Sequence, residues 1–379
     1  MGRLSNSMLV MLTLSASLWA CSEGKHHGTF ATFNAGLAIG YVEYVDERQP
    51  LVGPGVAGLE SDVVCMQEVW MPEHVDDVLS ATAAAFPHSF AVDTYDPVAN
   101  TGPPVCTEDI TADMLACVNT NCDSVPTDGL SDCVLTYCGG PLTDLGTESP
   151  ECLECLVANL GHTIEEIFTT CHAESKEYLY EAANGLILLS KWELRDTEHL
   201  LLDSTFNKRL ALFARVTNDA GKDVVLVCTH LTPEFDGVPY TGTLGSWAEE
   251  QAYQIGQITT YIEDRTSEGE MIVLMGDTNN GPDVPPGITA NLPDNYQLII
   301  DAGYSDPFAE GSDAACTFCS ENPILADDRS DVLIDHVFFM NFPSAAKFDG
   351  MRILDQILTV GTVDTPLSDH FGISVSVTE

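Results

Sequence analysis

Eight apolar runs rich in β-branched residues recur along the chain, at 28–35, 61–69, 185–192, 209–217, 222–231, 271–277, 332–340 and 371–378. Runs of this length and content predict strands. Between them, residues 72–86 and 245–265 have helical spacing, with Trp247, Gln251, Gln254 and Ile258 along one side of the second. Strands alternating with helices, and several strands following one another directly, predict an α/β sandwich of two sheets covered by helices. With 379 residues, 45% of them apolar, the chain can fill such a core.

The alternation breaks at 96–182, where Cys106, Cys117, Cys122, Cys133, Cys138, Cys152, Cys155 and Cys171 crowd together, eight of the thirteen cysteines. "CVNTNC" and "CVLTYC" repeat one form, and with the turn-rich "DSVPTDGLSD" and "GGPLTDLGTESP" they predict short helices stapled across their faces. Cys152 and Cys155 also have zinc-site spacing, but no matched second C-x-x-C lies nearby, so disulfides are the preferred reading. Cys316 and Cys319 in "CTFC" are expected to close a small loop. Cys65 and Cys228 lie inside strand runs and are expected to be core residues, not nucleophiles.

Arg3, an apolar run over 8–18 and the small-residue step before Cys21 predict an export signal over 1–20. This resembles a bacterial lipoprotein signal, with Cys21 as the lipidated first mature residue; ordinary cleavage and secretion is the alternative. Cysteine usage agrees with an oxidising compartment outside the cytosol. A formal charge of −44, from 14 Lys+Arg against 58 Asp+Glu, repels nucleic acid and anionic lipid unless cations intervene, although solubility or high salt explains it equally well.

The strand runs share a second feature. They end in polar residues: Asn34, Gln67-Glu68, Thr229-His230, Asp277 with Asn279, Asp335-His336, and Ser368-Asp369-His370 before the last run. Buried carboxylates that meet at one rim need a cation, a proton or hydrogen bonds to coexist. Glu68, Asp277 and Asp335 are hard oxygen donors suited to Mg²⁺, Mn²⁺ or Ca²⁺, while Asn34 and Asn279 can bind a metal or a phosphoryl oxygen. Divalent metal beside imidazole points to hydrolysis of a phosphate ester. Asp369 is placed to orient His370. His199 and His336 read as surface or structural, Gly276 as a tight strand exit and Trp70 as packing for the helix after Met71.

"FNAG", "MQEVW", "THL", "GDTN", "IDHVF" and "LSDHFGISV", in this order, resemble the endonuclease/exonuclease/phosphatase family. The resemblance spans 28–95 and 183–379 and implies a four-layer, DNase I-like α/β sandwich, two packed mixed sheets flanked by helices, over 28–379, with the mainly helical 96–182 inserted into it. It implies Glu68, Asn34, Asp277 and Asp369 as metal ligands. Asp277, Asn279 and Asp335 would sit in the same catalytic cluster, His370 would activate water, and His230 would protonate the leaving oxygen or clamp the phosphate. Thr278 stands where the family usually has Phe, and no Arg precedes Asp335, which weakens any claim to a polyanionic substrate.

Within the family the chain is most similar to the neutral sphingomyelinase branch, through "CMQEVW" and through "ACTFCSENP" before "VLIDHVFF". That implies a monomeric Mg²⁺-dependent phosphodiesterase acting on a phospholipid headgroup near a membrane. A secreted DNA or RNA endonuclease is the alternative, with Lys191, Lys208 and Arg209 as the only obvious basic cluster. A phosphomonoesterase and a non-catalytic surface binding protein are further alternatives. The insertion is expected either to cap the site and touch lipid or to be a rigid ornament.

Overall fold

The computed structural model describes residues 25–325, 330–360 and 363–379; the leader over 1–20 and Cys21 lie outside the described residues. Ahead of the cysteine-rich segment come β1 (His26–Asn34), α1 (Val45–Ala57), β2 (Val63–Gln67), α2 (Pro72–Thr82) and β3 (His88–Phe90). The segment holds α3 (Glu108–Asn121), α4 (Leu130–Tyr137), α5 (Gly139–Glu148), α6 (Pro150–Ala158) and α7 (Ile164–Ala173), between the short strands β4 (Thr101–Gly102) and β5 (Ser175–Lys176). Then follow β6 (Ile187–Ser190), β7 (Arg195–Leu202), β8 (Arg209–Thr217), β9 (Asp223–His230), α8 (Trp247–Arg265), β10 (Met271–Asp277) and α9 (Pro293–Asp301). The chain closes with β11 (Asp335–Met340), β12 (Lys347–Ile353), β13 (Leu358–Val360), β14 (Val363–Thr365) and β15 (Gly372–Thr378).

Two mixed sheets carry the fold, in the orders β12-β15-β1-β2-β6-β3 and β11-β10-β9-β8-β7. Each contains one parallel pair, β1 with β2 and β9 with β10, and a helix, α1 or α8, makes each crossover. Strand parity builds the layers. Phe30, Val63, Leu212, Leu226, Val273 and Val375 face the space between the sheets, whereas Phe33, Val64 and Met66 face α1 and α2, and Val227 and Leu274 face α8 and α9. Helices, sheet, sheet and helices make the four-layer sandwich that the sequence predicts.

Cys65 and Cys228 are core residues, and they are also bonded to each other. Both point inward, one from each sheet, so their disulfide staples the sandwich across its centre; a separation of 163 residues hides the pairing in the sequence. Cys316–Cys319 closes the short loop. Four more bridges, Cys106–Cys152, Cys117–Cys138, Cys122–Cys133 and Cys155–Cys171, tie the five short helices around an apolar core of their own. Cys152 and Cys155 thus sit in two different bridges.

The edge strands β7 and β12 are absent from the sequence prediction. As edges they expose much of their length, so "RDTEHLLL" and "KFDGMRI" show no continuous apolar run. Helix α1 escapes it too, because Pro50 and Pro54 lie inside it.

On the outer face of β11, His336 is fully buried, with Nδ1 2.6 Å from Asp306 Oδ2 and Nε2 2.8 Å from the Asn280 carbonyl. Both partners accept, so both ring nitrogens must donate and the imidazole is charged. Burial opposes that charge, but Asp306 outweighs it and raises the pKa. A raised folded-state pKa stabilises fully below the unfolded value, near 6.5, and the benefit fades as pH rises through the folded value. Between the two values, unfolding free energy should fall by about 1.4 kcal/mol per pH unit from this proton. Asp306→Asn should flatten that slope in denaturant titrations run across the window.

Candidate active site

Five strands deliver polar side chains to one rim. Asn34, His230 and Asp277 are the last residues of β1, β9 and β10, and Asp335 is the first of β11. Asp277 lies directly opposite His230 on one side and Asp335 on the other. All four have inward parity, so the alternation that fills the core with Val and Leu points these groups between the sheets where the core ends. Glu68, just past β2, and Asn279, just past β10, have left-handed backbone, with φ of 57° and 51°.

The contacts interlock. Asn34 Nδ2 donates to Glu68 Oε1 at 3.1 Å and to Asp277 Oδ2 at 2.9 Å, while its Oδ1 accepts the Gly36 N–H at 2.9 Å. Asn34 therefore bridges two carboxylates through its hydrogens and keeps its oxygen turned away from them. Asp277 Oδ1 accepts the Asn279 N–H, and Asn279 Nδ2 donates to the Leu231 carbonyl. His370 Nδ1 is 2.9 Å from Asp335 Oδ2, and its Nε2 is 3.9 Å from Asp277 Oδ2. His230 Nε2 lies 3.4 Å from the same Asp277 oxygen and 3.9 Å from Glu68 Oε1. Asp369 accepts from Ser368 Oγ and faces Gly36, where any Cβ would come within 2.2 Å of its Oδ1. At Gly276 a Cβ would meet the Thr229 carbonyl oxygen at 2.0 Å, so glycine there permits close approach of the neighbouring strand.

Electrostatics separate the two histidines. Burial opposes the charge on His370, yet Asp335, helped by Asp369 and Asp277, outweighs it and holds its pKa well above the ordinary value. Burial dominates at His230, and Arg209 and His370 add repulsion, so its pKa falls well below. His370 carries the proton and His230 is neutral while the carboxylates remain uncompensated. Burial and the Asp335 charge push Asp277 up to about 7, and burial and Asp369 raise Glu68.

These groups fit a hard divalent ion. Glu68, His230 and Asp277 form one set, and Asp277, Asp335 and His370 another, with potential ligand atoms inside 4.8 Å of one another. Asp335 Oδ1 is buried without a hydrogen-bond partner. An orphaned carboxylate oxygen beside carboxyls driven toward protonation is the arrangement a cation would relieve. Asp277 and Glu68 are best placed to hold it, with Asp369 beside Glu68.

No protein-family model matches the sequence, and no curated protein matches it. Solved structures do. An endonuclease/exonuclease/phosphatase from Beutenbergia cavernae aligns over 93% of this chain and 72% of its own at 16% identity and a TM-score of 0.50. Sphingomyelinase C from Streptomyces griseocarneus aligns over 92% and 98% at 16% identity and a TM-score of 0.55. The chain has the endonuclease/exonuclease/phosphatase fold. D. rerio TDP2 in complex with a single-stranded DNA product aligns over 93% and 98% at 15% identity and a TM-score of 0.51.

On this endonuclease/exonuclease/phosphatase scaffold, two arginines matter more than their sequence context suggests. Arg209 opens β8 and lines the cleft with Glu68, Asp277 and His230. It is buried, its Nε and Nη1 have no hydrogen-bond partner, and burial lowers its pKa to about 10 without removing its charge. It supplies the buried cation for which the position before Asp335 offers none. Arg48, fully buried in α1, donates to the carbonyls of Ala35, Gly36, Glu43 and Leu367, fixing the two loops that carry Gly36 and Asp369. Trp70 stacks on Tyr180 at 5.0 Å and faces His230 at 6.1 Å, so it is a wall of the cleft as well as a packing residue. In the sequence Arg48 is unmarked, Arg209 reads only as part of a basic cluster and Trp70 only as a packing residue, because each acts through partners distant along the chain.

Asp335 should behave as a positioning residue for His370. Asp335→Asn should lower kcat on a soluble phosphodiester by on the order of 10²–10⁴ with little change in KM. Combined with His370→Ala, it should cost no more than His370→Ala alone, since the two act as a unit. Additive losses in steady-state assays would refute the coupling.

Proposed function

We propose that this protein is a metal-dependent phosphodiesterase that hydrolyses a phosphate ester by water attack, most specifically a phospholipid such as sphingomyelin. The observation that carries the reading is the His370–Asp335 pair at 2.9 Å, facing the Asp277–Glu68 carboxylates across a cleft that also holds the unpartnered N–H groups of Arg209. In the reaction, water oxygen bonds to phosphorus as the bond to the leaving oxygen breaks. His370 Nε2 takes the water proton, Asp335 stabilises the imidazolium that forms, and the leaving oxygen takes up a proton from solvent, to which the imidazolium later returns its own. Arg209 is placed to hold non-bridging phosphoryl oxygens through its free N–H groups. A bound divalent ion, Mg²⁺, Mn²⁺ or Ca²⁺, would polarise the phosphoryl group and, by compensating Asp277, weaken part of the field that keeps His370 charged.

A phospholipid is favoured over nucleic acid on charge. A formal −44 disfavours a polyanion, whereas a choline headgroup brings a cation. Trp70, Tyr180 and Phe318 give the cleft an apolar wall. The single-stranded DNA product bound to D. rerio TDP2 on this fold supports a nuclease as the second reading. Six disulfides support export, and Cys21 would anchor the protein to a membrane if lipidated.

The test incubates oxidised protein and Mg²⁺ with sphingomyelin vesicles, plasmid DNA and a bis-phosphoester dye in parallel. Phosphocholine release without DNA nicking, abolished by chelator and by His370→Ala, is the expected outcome. Nicking alone would move the assignment to a nuclease, and inactivity on all three would sink the hydrolase reading.

A further inference from the structure

The catalytic cleft does not end at the carboxylates. It is one mouth of a cavity of about 880 Å³ that runs from Asp277 and His370 into the disulfide-stapled helices. There the lining changes from polar to apolar, with Met114 and Val118 of α3, Leu153 and Leu156 of α6, and Ile167 and Phe168 of α7. All six are nearly fully buried members of the insertion's own apolar core, so the far end of the cavity penetrates that core. Acidic groups on this wall, such as Glu234 and Asp236, are exposed.

A void lined by such residues is costly to maintain and stays dry, since a water inside it would find few partners. Four disulfides set the spacing of these short helices covalently, so gaps within their apolar core are tolerated. The passage runs past Val157, half-buried, which packs against both the helical core and the Phe206–Trp247 cluster beside the cleft.

Resting on the phospholipid reading above, we propose that the helical insertion is a compartment for the apolar chain of the substrate whose phosphodiester lies at the carboxylate rim. Continuity with the cleft identifies the occupant. A group that enters the apolar end while its other end reaches Asp277 and His370 must be a chain attached to the scissile phosphate. The insertion thus selects substrates by chain.

The experiment uses the whole oxidised protein and a homologous series of short-chain choline phospholipids, kept below their critical micelle concentrations so that no bilayer contributes. The compartment predicts that kcat/KM rises about fourfold per added methylene until the space is filled. Val157→Trp, which narrows the passage, should flatten that rise, read as the long-to-short ratio within one preparation so that folding yield cancels. Hydrolysis with no dependence on chain length overturns the compartment and leaves the phospholipid reading intact. If no choline phospholipid is cleaved, that reading falls, and calorimetric titration with 1-butanol and 1-decanol decides the compartment alone. Saturable decanol binding, tighter than butanol and weakened by Val157→Trp, upholds it; its absence overturns it.

Discussion

The concentration of negative charge at one buried rim is the constraint to which the rest of this molecule answers. Glu68, Asp277, Asp335 and Asp369 converge there, and burial pushes Glu68 and Asp277 toward protonation. Every neighbouring element supplies partial compensation. Asn34 places its amide hydrogens between two of the carboxylates, His370 sets an imidazole against a third, and Arg209 brings a guanidinium to the same cleft. What remains uncompensated, above all Asp335 Oδ1, is where the chemistry of a cation and a phosphate is concentrated.

Holding that charge in register requires a stiff frame. Two βαβ units, β1-α1-β2 and β9-α8-β10, face each other across the sandwich, and the carboxyl ends of both parallel pairs open onto the same rim. The Cys65–Cys228 bridge pins the sheets together one inward step below Gln67 and His230. Arg48 then ties the loops above β1 and before β15 to each other through carbonyls that would otherwise be buried without donors. The catalytic geometry is thus set by backbone pairing and by buried polar links, with little left to exposed loops.

The helical insertion obeys a different rule. Five helices, none longer than 14 residues, cannot bury enough apolar surface to hold together by packing alone, and four bridges make up the difference. Close contacts seat it on the rim: Ser131 donates to the Gly40 carbonyl, Gly40 meets Gly161 backbone to backbone, and Gly146 abuts Pro239.

Periodicity and residue chemistry, read without coordinates, determined most of the framework. Continuous apolar runs mark the central strands, because strands buried on both faces leave continuous hydrophobic sequence. Polar residues at their ends mark the rim, and the crowded cysteines mark a stapled helical unit. Edge strands and the proline-bearing α1 left no such trace, since exposure and local packing, not pattern, stabilise them. Tertiary structure alone decided which polar residues act together. Asp335 and His336 are adjacent, yet parity turns the first inward to His370 and the second outward to Asp306. Cys65 finds Cys228, and Arg209 finds Glu68 and Asp277, across separations that no local pattern encodes. The charge state of each histidine follows from those distant neighbours, because a buried group titrates according to the charges folded around it.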